Sequence, residues 1–346
     1  MRRHACHNRA MSLDDRFDDL VASLGGFYRT WFVYVGLELG LFARLRAAGR
    51  AGLTIDELAA ETGTKAELVG RWAWGADAHD LVEIGEGRVY LTDDVAGILL
   101  DADRSEYLGG QYLHAATGSL DYGDLLDVFR TGRAAPTRPA RYRVAIERLT
   151  VQDIAVFFQE VLAALPQLVA DLRPGSHAID VHCGGGRWLI AMARRFPEIR
   201  LTGVEFEPDS VARARGNVEA AGLADRISVE QGDMGAIGHA GDADLTYFQY
   251  ALHQLPDPVA AIASAWSSVR PGGWLIALDW YLPEDPEELR TRHAELIAGI
   301  QLDELLQGTR LVTRSEAMGW FAAAGLASAE LIDLPSGASA IVACRD

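Results

Sequence analysis

Ala178-Ile179-Asp180-Val181-His182-Cys183-Gly184-Gly185-Gly186-Arg187 is the stretch that decides the fold of this 346-residue chain. An apolar run ends in an acidic residue, a glycine cluster follows, and amphipathic spacing predicts a helix over Trp188–Phe196. A strand, a glycine turn and a helix N-terminus together bring backbone close to a ligand. Two more acidic residues stand at the ends of the next two expected strands. Glu205 closes Leu201-Thr202-Gly203-Val204, and Asp233 closes Ile227-Ser228-Val229-Glu230-Gln231-Gly232. Three acidic strand ends in succession describe a crevice for a nucleoside. The pyrophosphate pattern of nicotinamide dinucleotides, G-x-G-x-x-G, fails here. Counted from Gly184 its third position is Leu189; counted from 182 its first is His182 and its third is Arg187.

The stretch resembles motif I of the class I S-adenosylmethionine-dependent methyltransferases, Asp-x-Gly-x-Gly-x-Gly, with His182 where the first Gly usually stands. Gly232-Asp233-Met234 and Leu252-His253-Gln254-Leu255-Pro256-Asp257-Pro258 extend the resemblance. It implies S-adenosyl-L-methionine as cofactor. Asp180, His182, Gly184 and Gly186 would surround the methionine end, and Glu205 would accept both ribose hydroxyls. Asp233 would bind the exocyclic amine of adenine with Met234 beside the ring. Phe206, Gln249 and Tyr250 complete the implied cofactor set. At His182 a hydrogen bond to the methionine carboxylate competes with simple space-filling in an unstrained turn.

Composition narrows the class. Hydrophobic residues make up 49% and charged residues 23%, as in a globular protein, and no apolar run approaches a membrane span. The formal net charge of −17 argues against tracking nucleic-acid phosphates. Cys6, Cys183 and Cys344 have neither metal spacing nor the density of a disulfide framework, so no metal site is expected and the compartment reads as reducing cytoplasm. Met1–Ala10 is basic but no apolar segment follows, so it is read as a disordered tail, with Met11 as a candidate start.

The chain then reads as a tail (1–13), a winged-helix domain (14–103), a helical linker and pocket segment (104–171) and a cofactor domain (172–346). In the first domain, Phe27–Leu45 has helical spacing, Thr54 and Glu57 form a capping box, Gly63 stops that helix, and Val82–Leu91 is a hairpin turning at Gly85-Glu86-Gly87. A winged helix can bind DNA. The alternative is a dimerisation and lid module, as in the plant-type small-molecule O-methyltransferases that this region resembles. The candidate recognition helix sets Lys65 and Arg71 against Glu67 and Asp77, which favours homodimerisation over nucleic acid. The segment 104–171 lacks strand signals and breaks at Thr131–Pro139. Its aromatic and His side chains read mostly as core, with Tyr112, His114, Phe157 and Phe158 as candidate pocket walls. From Pro174 on, seven expected strands alternate with helices. They form a doubly wound, mostly parallel α/β sheet of the Rossmann-like kind, with the last two strands joined at Pro335-Ser336-Gly337.

In plant-type O-methyltransferases a His after the fourth strand is the base that takes the proton from the acceptor hydroxyl. The match here is His253. The acidic residue ending the fifth strand, a partner of that His in the family, matches Asp279. The family's second acidic partner falls on Leu311, and its Asp after the His falls on Gln254, so the triad looks incomplete. Trp280 and Tyr281 follow the fifth strand and read as pocket residues, ahead of an acidic helix over Asp285–Gln307. The implied activity is methyl transfer to a small molecule, first an aromatic or polyketide-like hydroxyl. Carbon or nitrogen methylation, or a non-methylating sulfonium-dependent enzyme or regulator, are the alternatives.

Overall fold

The computed structural model describes residues 12–134 and 138–346. The expected tail lies outside the described residues up to position 11, as do positions 135–137 of the expected breaker. The chain divides into two compact units. One holds the residues up to Asp101 together with Gln111–Ala116; the other holds Ala102–Gly110 and Thr117–Asp346.

In the first unit, α1 (Leu13–Glu38), α2 (Leu41–Ala48), α3 (Ile55–Thr62) and α4 (Ala66–Ala78) precede a hairpin of β1 (Glu83–Gly85) and β2 (Arg88–Tyr90), and α5 (Asp93–Leu100) follows. The Thr54–Glu57 capping box is present, and Gly63 ends α3 in a left-handed conformation. The hairpin turns through Glu86 and Gly87, both at positive φ, as a two-residue turn matched to strand twist requires. The run expected over Phe27–Leu45 is two helices. Gly40 breaks it at φ 71, and α2 folds back so closely that a Cβ on Gly36 would stand 2.3 Å from the Phe42 ring. Val33, Leu41, Phe42, Leu45, Leu58 and Trp72 form part of this unit's core.

Next come α6 (Gly109–Ser119), α7 (Leu125–Thr131) and α8 (Ala140–Val156), then a π turn over Phe157–Val161, α9 (Leu162–Ala164) and α10 (Pro166–Asp171). The segment 104–171 is not a unit of its own. Val156, Phe157, Val161, Leu162 and Leu168 are buried in one core with Trp188, Leu189 and Tyr247 of the sheet domain. That domain runs β3 (His177–Val181), α11 (Arg187–Arg195), β4 (Arg200–Glu205), α12 (Pro208–Ala220), β5 (Ile227–Gln231), β6 (Ala243–Gln249), α13 (Pro258–Ser268), β7 (Val269–Asp279), α14 (Arg292–Gln307), α15 (Arg314–Ala323), β8 (Glu330–Asp333) and β9 (Ser339–Cys344). The expected acidic helix therefore begins at Arg292, seven residues after Asp285.

The seven strands are ordered β5-β4-β3-β6-β7-β9-β8. All pairings are parallel except those of β9, which runs antiparallel to β7 and β8. β3 is buried at all five positions, as a central parallel strand covered on both faces must be. Side-chain alternation along β6 sends Leu245 and Tyr247 to one apolar layer and Phe248 to the other. The chain steps outward from β3 to β4 and β5, then returns to β6 on the other side of β3. That reversal opens a crevice beyond the carboxyl ends of β3 and β6. No helix among the described residues is long and apolar enough to cross a membrane.

Candidate active site

The glycine turn after β3 is tight because of its backbone angles. His182, Gly184 and Gly186 all lie at positive φ, at 67°, 51° and 72°. For His182 this corrects the expectation of an unstrained turn. A left-handed conformation suits glycine and costs a side-chain-bearing residue about 1 kcal/mol or more. The His182 ring packs against Phe206, with centroids 5.5 Å apart, and Nδ1 lies 4.0 Å from the Glu205 carboxylate. A Cβ on Gly184 would meet nothing within 4 Å, so the loop backbone faces open space.

Glu205, at the end of β4, is 2% exposed. Its Oε2 accepts the Gly184 N–H at 3.0 Å, and its Oε1 accepts the N–H groups of Phe206 and Glu207 at 2.9 and 3.1 Å. These bonds hold the carboxylate at the lip of the loop. Asp180 lies beneath it, buried; burial and the charge of Glu205 push its carboxyl up to about 8. Both effects favour the neutral carboxyl at Asp180. Asp233 stays exposed and caps the turn at Gly235, while Met234 is buried beside it. Gln249 and Tyr250 end β6, Tyr250 in a left-handed conformation at φ 50.

These residues fit the cofactor. The glycine backbone faces space, a carboxylate stands at the end of β4, and an exposed carboxylate follows β5. Gly184 and Gly186 would pass the methionine end, Glu205 the ribose and Asp233 the adenine. When bound, the group supplies an electrophilic sulfonium methyl.

Beyond β6, His253 is turned inward and its side chain is 4% exposed. Its Nδ1 lies 2.7 Å from Asp279 Oδ2 at the end of β7. Asp279 Oδ1 accepts the Trp280 N–H at 2.8 Å, which fixes the carboxylate. Nε2 has no hydrogen-bond partner, and Glu304 Oε2 stands 3.6 Å from it, too far for a hydrogen bond. Burial pulls the imidazole pKa down, but the charge and hydrogen bond of Asp279 together with Glu304 overcome this and raise it to about 10. The ring is a cation at neutral pH.

Glu304 corrects the incomplete triad. Leu311 is an apolar buried residue, and the second carboxylate comes from the last turn of α14 instead. Burial favours its neutral form, yet His253, Thr309 and Gln254 hold its pKa below the usual value. Thr309 Oγ1 donates to Oε2 at 2.5 Å, and Gln254 Nε2 reaches Oε1 at 3.5 Å. An acidic side chain on the stripe Ala294, Ile297, Gln301 and Glu304 was the signal in the sequence: the spacing is that of a core-facing helix edge. α14 is itself pinned. Asp303 accepts from Tyr122 and is ion-paired to Arg138, which also pairs with Asp121 and lies over the Tyr142 ring.

A third carboxyl, Asp153 on α8, was not foreseen. It is buried, and burial with the charge of Asp279 raises it to about 8, with the nearby Tyr250 hydroxyl opposing the shift. Tyr250 in turn packs edge-on to Trp280.

The expected pocket walls divide. Phe157 is wholly buried with its ring against Phe158, Trp188 and Tyr247, so it is core. Phe158 lines a separate groove of about 640 Å³ with Ile154, Arg187 and Ile190. Trp280 and Tyr281 are buried in opposite apolar layers, each with an unpartnered polar atom, because successive strand-end residues point to opposite faces. Tyr112 and His114 lie on α6 within the first unit, His114 buried and Tyr112 packed against that unit's core.

Residues 178–273 match the family of methyltransferase domains. The chain carries a class I S-adenosylmethionine-dependent methyltransferase domain. It is 28% identical over 333 residues to the aclacinomycin 10-hydroxylase of Streptomyces purpurascens, covering 91% of this chain and 86% of that protein. It is 25% identical over 336 residues to the phenazine O-methyltransferase of Lysobacter antibioticus, covering 94% and 95%. Among solved structures it resembles PigF with SAH, with a TM-score of 0.73 at 20% identity over 97% of this chain and all of that one. That likeness establishes the fold of the methyltransferase.

Proposed function

We propose that this methyltransferase methylates a hydroxyl of a small aromatic or polyketide-like molecule, with His253 as general base. The observation that carries the reading is the buried His253 between Asp279 and Glu304 at the carboxyl edge of the sheet. The cofactor, which Gly184, Gly186, Glu205 and Asp233 would hold, would supply an electrophilic methyl for in-line displacement; the task of this chain's own residues is to place the hydroxyl and take up its proton. The hydroxyl would approach Nε2 beside Glu304, which stands 3.6 Å from it. Only the neutral ring can act as base, so turnover should follow the deprotonated fraction of His253. Its Nε2 takes the proton that leaves the hydroxyl, while Asp279 holds the ring through Nδ1 and its carboxylate charge stabilises the imidazolium that results. The names of the phenazine O-methyltransferase and of a 3-amino-4-hydroxybenzoate 4-O-methyltransferase relative support oxygen as the acceptor atom.

The hydroxylase name of the 28% identical relative supports a second reading, in which the same scaffold uses the sulfonium cofactor without methyl transfer. A screen of phenols and polyketide-like hydroxyl compounds with methyl-labelled S-adenosylmethionine separates the two. Label in an ether product is expected. A product that gains oxygen and no label would favour the second reading, and label on carbon or nitrogen would exclude hydroxyl methylation.

The enzyme is further proposed to be a cytoplasmic homodimer that ignores DNA. α1 exposes Leu13, Phe17, Leu20, Leu24, Phe27 and Tyr28 at three- and four-residue spacing, a stripe that a second copy would cover. Light scattering is expected to give twice the chain mass at micromolar concentration; a monomer mass would count against it.

A further inference from the structure

The opposite edge of the sheet carries a side-chain cluster that the methyl-transfer chemistry does not use. His177 is the first residue of β3, and Asp242 immediately precedes β6, its parallel neighbour. His239 lies in the loop before Asp242 and is held there in a left-handed conformation at φ 58. One ligand atom from each of the three falls within 4.8 Å of the other two. The cluster stands a strand's length from the glycine turn, about 16 Å.

The outer atoms of all three residues are already engaged. His177 Nε2 bonds Thr202 Oγ1 at 2.8 Å, which leaves Nδ1, now 2.8 Å from Asp242 Oδ2. Asp242 Oδ1 accepts from Arg200 at 2.7 Å, which leaves Oδ2. His239 Nε2 meets the Glu230 carboxylate at 3.1 Å, which leaves Nδ1. Histidines that ligate metals usually give their other nitrogen to a carboxylate or another oxygen, and that partner fixes the tautomer and the ring plane. Here each candidate ligand has such a partner, and two imidazoles with one carboxylate make a donor set for a borderline transition metal rather than for calcium or magnesium.

We propose that His177, His239 and Asp242 bind one divalent transition-metal ion of the zinc class at the amino edge of the sheet, with water completing its coordination. Tetrahedral ligands about 2.0–2.2 Å from an ion stand roughly 3.4 Å apart, so His177 and Asp242, now 2.8 Å apart, must open slightly while any wider separation, none above 4.8 Å, closes. His239 and Asp242 have that freedom, with side chains 25% and 42% exposed. Binding ties the start of β3 to the loop before β6. It is a structural pin, and no reaction step passes through it.

The test is zinc uptake by the tag-free, full-length protein, measured by equilibrium dialysis, with cobalt as a visible-absorption probe. His4, Cys6 and His7 of the tail are themselves metal-binding types, so every protein carries H4A, C6S and H7A. One equivalent of zinc per chain is expected, with a cobalt spectrum typical of nitrogen and oxygen ligands, and saturating zinc should raise the unfolding midpoint by roughly 5 °C. His239→Asn keeps a residue that tolerates the left-handed backbone, and Asp242→Asn removes the charge. Each should weaken zinc binding about tenfold or more while S-adenosylmethionine affinity stays unchanged. The site is overturned if the parent protein takes up no stoichiometric zinc, or if His239→Asn binds it as tightly as the parent.

Discussion

The end of the crevice proposed to hold the cofactor is written in one local stretch, whereas the end proposed to handle the proton is assembled from three elements far apart in the chain. Gly184, Gly186 and Glu205 lie within 22 residues of one another and are joined by a direct hydrogen bond from the loop to the carboxylate. His253, Asp279 and Glu304 come from a turn after β6, the end of β7 and the last turn of α14. The first end depends on backbone shape, and side chains there hold the loop. The second depends on the charges around one imidazole, and the backbone only delivers them. Substitutions should therefore separate the two ends cleanly.

The largest separation is expected at His253. His253→Ala should lower the maximal rate about a hundredfold or more, while calorimetry shows cofactor affinity within a few-fold of the parent. Near-normal turnover in that variant would remove the general-base mechanism and leave positioning alone to drive transfer.

Glu205→Ala should do the reverse. It removes a buried carboxylate with charge-assisted hydrogen bonds, about 1.5–3 kcal/mol, so S-adenosylmethionine should bind about ten- to a hundredfold more weakly. Unchanged affinity would detach the end of β4 from the cofactor.

A smaller effect tests the triad from Glu304. With His253 raised to about 10, kcat/KM should climb with pH through a step near that value rather than near 6.5. The sign for stability is opposite. The raised pKa contributes stability that is complete below the ordinary histidine value and is lost as pH rises through about 10. Glu304→Gln removes one of the charges favouring the cation, so the activity step should move down by about one unit. The loss of stability on going from pH 7 to pH 10 should shrink with it. A profile that does not move would mean that Asp279 alone sets the ring.

The smallest effect is at the glycine turn. Gly184→Ala forces a side chain into φ 51 without a clash and should cost about 1 kcal/mol. His182→Gly relieves strain in the folded chain but adds freedom to the unfolded one, so denaturant unfolding should show a change below about 1 kcal/mol.

This contrast also explains what could be read before the structure. The seven strands, the Thr54 cap, the Glu86-Gly87 turn and the carboxylates at the ends of β4 and β5 are encoded by neighbours in sequence, and each appears close to its expected place in the fold. Asp279 was legible because a strand end fixes where its side chain stands. Glu304 was not, because a helix of sixteen residues can present an acid to the ring from several turns, and motif spacing pointed one loop later, to Leu311. Asp153 was hidden in the same way: an acid in a polar-looking helix shows its burial only when the sheet is packed against it. Phe157 failed as a pocket wall because helical spacing gives a face and not its neighbour. The metal cluster escaped because positions 177 and 239 meet only through the pairing of β3 with β6.

The π turn after α8 has its own effect on this arrangement. A π turn accommodates one residue beyond the regular winding, and one residue is about 100° of rotation at 3.6 per turn. Upstream of it, Glu147 pairs with Arg213 and lies beside the glycine loop. Within the turn itself, Phe157 enters the core and Glu160 accepts the Ser336 N–H in the turn between β8 and β9. One continuous rod thus addresses two sites that a uniform α-helix would place out of phase. Length polymorphism is usually confined to loops, but here a single-codon deletion inside a helix would swing every later side chain a quarter-turn or more and uncouple the glycine loop from the far hairpin.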